Sequence, residues 1–167
     1  AEARALVERH YGSIPDGPIQ RSAGPIEAED VDRAFRYSEL AGDIQQAELV
    51  FGWRAPALLH DASPPLDLLA AILSAGRASR LYRAVRERRL ASSIVAYDYT
   101  PTEIGVFVVH ATARPELVRS AARAAWDQLN RVREGEITGT EIERARRVLE
   151  AQWLRRFESM EGQANHL

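Results

Sequence analysis

The chain has 167 residues, 46% of them apolar and 28% charged, which excludes a disordered polyelectrolyte and suits one domain with a genuine core. Its net charge of −2 excludes the strongly basic character of a nucleic-acid binder, and no apolar run approaches the roughly 20 residues of a membrane span. Cysteine is absent, so there is no disulfide framework and no thiolate nucleophile or ligand. All 22 basic residues are arginine, a bias read first as codon usage and second as an anion-binding surface.

In chain order, residues 1–11 read as a short helix with Ala5, Leu6 and Val7 facing in. Residues 12–30 hold three prolines and three glycines and read as a loop. Val31, Arg33, Phe35 and Tyr37 alternate as a strand, Ala41-Gly42-Asp43 is turn chemistry, and Ala47, Leu49, Phe51 and Trp53 mark a second strand. Those two strands are expected to pair antiparallel. Ser63 is the expected N-cap of the next helix, with proline at its first position and Leu66, Leu69, Ile72 and Leu73 along its apolar side. Gly76 is expected to end it in the left-handed conformation, and Ser79 to cap a second helix. That helix should turn Leu81, Tyr82 and Val85 inward and Arg80, Arg83, Arg86, Glu87, Arg88 and Arg89 outward.

The period then switches to two. Ser93, Val95, Tyr97 and Tyr99 alternate with Ile94, Ala96 and Asp98, and residues 105–112 form another alternating strand. Pro115 opens a helix buried along Val118, Ala121, Ala122, Ala125, Trp126, Leu129 and Val132, and Gly135 closes it. Thr138 or Thr140 starts the last long helix, with Ile142, Ala145, Leu149, Trp153 and Phe157 on one side and Gly162 as its expected break. Paired strands between helix pairs argue for an α+β fold, an antiparallel sheet with helices packed on one face. The chain is expected to be a single domain, residues 1–167, cut from a longer protein, because both ends look truncated.

The usual chemistries find little support. His10, His60, His110 and His166 are scattered, and none has a second ligand at metal-binding spacing, so the expected metal-ligand set is none. Ser79 sits in G-R-A-S-R rather than a nucleophile elbow, and Ser92-Ser93 has no base nearby in sequence. Gly76 is a lone glycine between helices, not a phosphate-binding loop. The arginines at 77–89 read first as a solvated face and second as an anion site.

Three blocks carry a resemblance. Gly76-Arg77-Ala78-Ser79-Arg80-Leu81-Tyr82 followed by Val85-Arg86-Glu87-Arg88-Arg89-Leu90-Ala91 resembles a G-x-x-S-R-L-(Y/F)…R-E…L-A block of the pitrilysin/insulinase zinc metallopeptidases. Residues 5–15 and 141–159 resemble that family's G-x-I-P opening and its late E-(L/I)-x-R-A…E-S helix. The resemblance implies the second, non-zinc-binding domain, with the mitochondrial-processing-peptidase-like metallohydrolase fold. It implies no cofactor in this chain, zinc in a preceding homologous domain, a second half or subunit as partner, and a peptide substrate. It also implies that Arg86 is a substrate-binding residue, and that no residue here is catalytic. In the family that arginine is paired with a tyrosine seven residues on, where this chain has Ser93, or Ser92 if one residue is deleted. The missing tyrosine fits a zinc-bearing half whose partner supplies the pair. The alternative is a non-catalytic structural or assembly subunit homologous to these peptidases.

Overall fold

A computed structural model describes residues 2–15, 17, 35–100 and 105–164. The chain separates into two compact units, residues 1–38 and 39–167. In the first, α1 (Glu2–Tyr11) is the expected helix, braced by an Arg4–Glu8 pair one turn apart. Its apolar residues do not face a core, since Leu6 is 47% and Val7 56% exposed. The expected strand over residues 31–39 lies partly outside the described residues, and 35–40 form no ladder.

The second unit is built on three strands: β1 (Ala47–Ala55), β2 (Ser93–Tyr99) and β3 (Gly105–Ala113). Their order is β1-β3-β2, and both pairings are antiparallel. The partner of β1 is therefore β3, 50 or more residues on, rather than the preceding segment. The register sorts the side chains into two faces. Leu49, Ala111 and Ile94 share one row, Phe51, Val109 and Ala96 the next, and Trp53, Phe107 and Asp98 a third. These rows face the helices, as their burial shows. Val50, His110 and Val95, then Gly52, Val108 and Tyr97, line the opposite face, which is more open because no described helix covers it.

The helical layer consists of α2 (Ser63–Ser74), α3 (Val118–Arg133) and α4 (Gly139–Arg156), with a short α5 (Met160–Ala164) beyond. Leu73, Leu81, Val85, Ala113, Ala121 and Ala125 are fully enclosed in the main core. Alanines at the α3 contact positions let the helix backbone come close to the sheet, which places Trp126 in the ring cluster of Phe51 and Trp53, with centroids 5.8 and 6.4 Å away. A second, smaller core joins α2 to α4 through Ala71, Ile72 and Ala145.

Helix ends follow the expected residues in part. Pro64 lies in the first turn of α2, but Ser63 is itself helical and its hydroxyl donates to the Ala57 carbonyl at 2.8 Å, fastening the preceding loop instead of capping. Gly135 ends α3 at φ +84 in a Schellman arrangement, with Glu136 N–H bonded to Arg131 O and Gly135 N–H to Val132 O. Thr138 caps α4 through a complete capping box with Glu141. α4 stops at Arg156, before Phe157-Glu158-Ser159, and Gly162 lies inside α5, so the break comes earlier than expected.

One side chain opposes this packing. Asp98 falls on the helix-facing side of β2, and both of its carboxylate oxygens are buried without a partner. Burial and then the nearby negative charge of Asp67 raise its pKa above 3.8. The folded state thus holds this proton more tightly than the unfolded chain, and the stability gained is full below pH 3.8 and lost as pH rises through the raised value. Asp98→Asn is expected to stabilise the protein at neutral pH by about 1–2 kcal/mol, and to do so progressively less in acid. Urea unfolding of both proteins at pH 7 and pH 4 measures it; equal stabilities at pH 7 would show that the carboxylate carries no penalty.

Candidate functional site

The arginine-rich segment is shaped by four local features. Gly76 takes φ +76, as its position after α2 requires. Ser79 is fully buried, and its hydroxyl donates to the Gly76 carbonyl at 2.7 Å, so it closes the joint rather than capping the helix that follows. That helix widens to a π turn over Tyr82–Arg86, with Glu87 N–H reaching back five residues to Tyr82 O at 2.8 Å. Arg89 then adopts φ 58, the left-handed region. Leu90 N–H bonds to Val85 O and Arg89 N–H to Arg86 O, the same Schellman closure that Gly135 makes after α3. A side chain in that slot costs roughly 1 kcal/mol relative to glycine. The buried Leu81 and Val85 hold the segment on the core, and it packs against β2 and α3.

Arg80 does not face solvent as its helical position implied. Its side chain is only 11% exposed, against 17% for Glu141, and the two form a fork: Nε to Oε1 at 2.6 Å and Nη2 to Oε2 at 2.7 Å. Nη2 also donates to the Glu136 carbonyl in the α3–α4 connection, while Nη1 is buried without a partner. The same Glu141 accepts from Thr138 N–H and Thr138 Oγ1, each at 2.9 Å. The Arg80 hydrogen bond first, and those from Thr138 in support, draw its pKa from 4.5 down to about 2 despite desolvation. One carboxylate thus starts α4 and ties it to the residue preceding Leu81. Sequence reasoning missed this pair, although Arg80 and Glu141 stand in two of the three motif blocks.

The remaining arginines behave differently. Arg77, Arg83, Arg86, Arg88 and Arg89 are all exposed. None of their side chains makes a hydrogen bond or ion pair with a described residue, which holds equally for Arg119, Arg123, Arg133, Arg147 and Arg155, whereas Arg4, Arg80, Arg114, Arg131 and Arg146 are paired. Arg86 closes the π turn. Ser93, at the position where the resemblance calls for tyrosine, begins β2 and is exposed, and Ser92 spends its hydroxyl on Thr112 O at 2.9 Å. Tyr97 and Tyr99 lie further along β2 on the open face of the sheet.

The histidines are not brought together. His60 Nδ1 accepts from Ala62 N–H at 3.1 Å, and His110 sits 2.6 Å from Glu48, which Thr112 also contacts at 3.0 Å. His10 is an exposed residue of α1, and His166 lies outside the described residues. Among the described residues no three His, Asp or Glu side chains are grouped to hold a metal ion, so they do not fit the zinc site of a peptidase. None of their helices is long and apolar enough to cross a membrane.

An antiparallel sheet with its helices on one face, and an ion pair joining two of the motif blocks, define an α+β domain with no metal-ligand group among its described residues. Residues 1–149 match the family model described as the peptidase M16 inactive domain, and the chain belongs to that family. An uncharacterized zinc protease of Streptomyces coelicolor is 30% identical over 145 residues, covering 86% of this chain and 31% of the relative. One from Mycobacterium tuberculosis is 29% identical over 142 residues, covering 82% and 32%. The chain thus spans about a third of the curated relatives it matches. A protease from Helicobacter pylori superposes with a TM-score of 0.82 at 22% identity, over 98% of this chain and 40% of that one. The peptidase M16 inactive domain from Pseudomonas fluorescens gives 0.59 at 23%, over 64% and 26%. The family read from the motif blocks and the α+β fold read from the order of strands and helices are therefore correct.

The ion pair gives a direct test. Arg80→Met leaves Glu141 enclosed without its counter-charge and is expected to cost about 2–3 kcal/mol. In the intact protein, the depressed pKa of Glu141 contributes stability that is present above pH 4.5 and lost as pH falls toward about 2. The full shift corresponds to about 3 kcal/mol, and solvent screening reduces it to roughly 1–2. Chemical denaturation between pH 2 and 6 should show this acid loss in the native protein and not in Glu141→Gln; parallel curves would remove the pair from the stability account.

Proposed function

We propose that this chain is the non-zinc-binding domain of a zinc metalloendopeptidase, forms one wall of its peptide-binding chamber and cleaves nothing by itself. The observation that carries this reading is the placement of Arg86. An exposed guanidinium with no partner among the described residues closes a turn packed against β2, and β2 is one of the two outer strands of the sheet that the described residues form. An extended peptide can add to such an edge through its backbone, and a guanidinium beside it can hydrogen-bond a peptide carbonyl and stabilise developing oxyanion charge. Family membership and the zinc-protease relatives support the same reading. The zinc ion would then be held by the preceding domain of the parent, and a second half or subunit would supply the phenol that Ser93 does not.

The parent protein provides the test. It is expected to carry zinc and to cleave peptides, whereas the 167-residue chain does neither. Arg86→Ala in the parent should lower kcat/KM by roughly 10- to 100-fold, with zinc content and Tm unchanged. Cleavage by the 167-residue chain alone, or a parent with neither zinc nor activity, would overturn the proposal, the latter in favour of a structural subunit.

A further inference from the structure

We infer that the five exposed arginines of residues 77–89, which have no partner among the described residues, form an acid-selective subsite, so that the peptide bound at this wall carries Asp or Glu side chains. The inference deepens the peptide-wall reading and rests on it. Its first support is charge. Residues 77–89 contain six arginines and one glutamate in a chain whose net charge is −2. Arg80 is neutralised internally by Glu141, which leaves Arg77, Arg83, Arg86, Arg88 and Arg89 facing solvent around the single acid Glu87. Five exposed guanidiniums within thirteen consecutive residues repel one another, and Glu87 is the one acid in that run. An acidic ligand relieves the repulsion and provides carboxylates that match the guanidinium fork.

The second support is backbone conformation. The Schellman slot after α3 is filled by Gly135, which adopts positive φ freely, but the equivalent slot here is Arg89 at φ 58. The strained choice places one more guanidinium at the C-terminal end of the segment, three residues beyond Arg86. A cation there also complements the helix's last carbonyls, but Arg83 and Arg86 in the last turn already fill that role. The wide π turn and the left-handed residue lie within eight residues of each other, and such paired outliers are a marker of binding segments. A polyanion of another class is disfavoured by the chain's overall negative charge, which would repel a long nucleic acid beyond the turn.

The test uses the 167-residue chain and three fluorescent ten-residue peptides that differ only in carrying Glu, Gln or Lys at alternate positions. The Glu peptide is expected to bind at least about tenfold more tightly than the Gln peptide at 50 mM salt, with the difference shrinking toward 500 mM as the charges are screened. Arg89→Gly separates binding from folding. It should raise Tm by roughly 2–4 °C by relieving the backbone, and weaken the Glu peptide about three- to tenfold while leaving the Gln peptide unchanged. Equal affinity for the Glu and Gln peptides would overturn acid selection and leave the peptide wall standing. Failure of all three peptides to bind would overturn the wall itself, and with it this inference. A 20-nucleotide single strand binding more tightly than the Glu peptide would replace acid selection with general polyanion affinity.

Discussion

The arrangement of the helical layer depends on one carboxylate. Glu141 completes the capping box of α4 and receives the Arg80 fork from 61 residues earlier in the chain. Besides that link, α4 is held to the layer by an apolar cluster of Ala71, Ile72 and Ala145, with Leu68 and Leu149 packed against it. Arg80 also reaches the Glu136 carbonyl, so the connection between α3 and α4 is held by the same guanidinium. A planar, bidentate pair constrains orientation as well as distance, which an apolar contact of this size cannot do. The cost is one buried guanidinium nitrogen left without a partner.

The consequence reaches the arginine-rich turn directly, because Arg80 and Arg86 belong to one short helix. Arg80 fixes its beginning against α4, Leu81 and Val85 fix its inner side, and the Leu90–Val85 hydrogen bond closes its end. The π widening then sets the direction in which Arg86 leaves the surface. An ordinary α-helical turn would rotate every residue after it by about 100° per residue omitted. The stability of the buried fork and the presentation of an exposed guanidinium are thus two ends of one mechanical element.

Much of this was readable from residue order, for physical reasons that differ by element. The period-two runs at 47–55, 93–99 and 105–113 announced strands because one face of each is buried, and α3 announced itself through small apolar residues at helical spacing. The pairing of β1 was not readable, since alternation says that a strand has two faces and not which neighbour it joins. The helical wheel placed Arg80 in solvent because it counts only one buried side, whereas this helix is covered on two, by the core beneath Leu81 and by α4 at Arg80. Ser63 and Ser79 stood where caps belong, yet a hydroxyl beside a loop can equally donate backward to a carbonyl, and both do. The left-handed Arg89 had no signal, because glycine is the residue that marks such a position.

On the proposed reading, Arg86 can act without a tyrosine at position 93, and the local charge shows how. A phenol contributes a short-range hydrogen bond that acts once the peptide is seated, whereas clustered guanidiniums act earlier and over a Debye length of about 8 Å at physiological salt. In this chain residues 77–89 carry six of the 22 arginines against one glutamate, while the net charge of the whole is −2. On the proposed reading, that local excess at a turn packed on β2, one of the two outer strands described, would orient an acidic peptide before its backbone meets the sheet. Under that proposal, capture and alignment would reside in this domain, and Arg86 would share the hydrogen bonding of the peptide carbonyl with a phenol from elsewhere in the parent. Such a division requires the turn to hold its shape before any ligand arrives, which is what the Arg80–Glu141 fork provides.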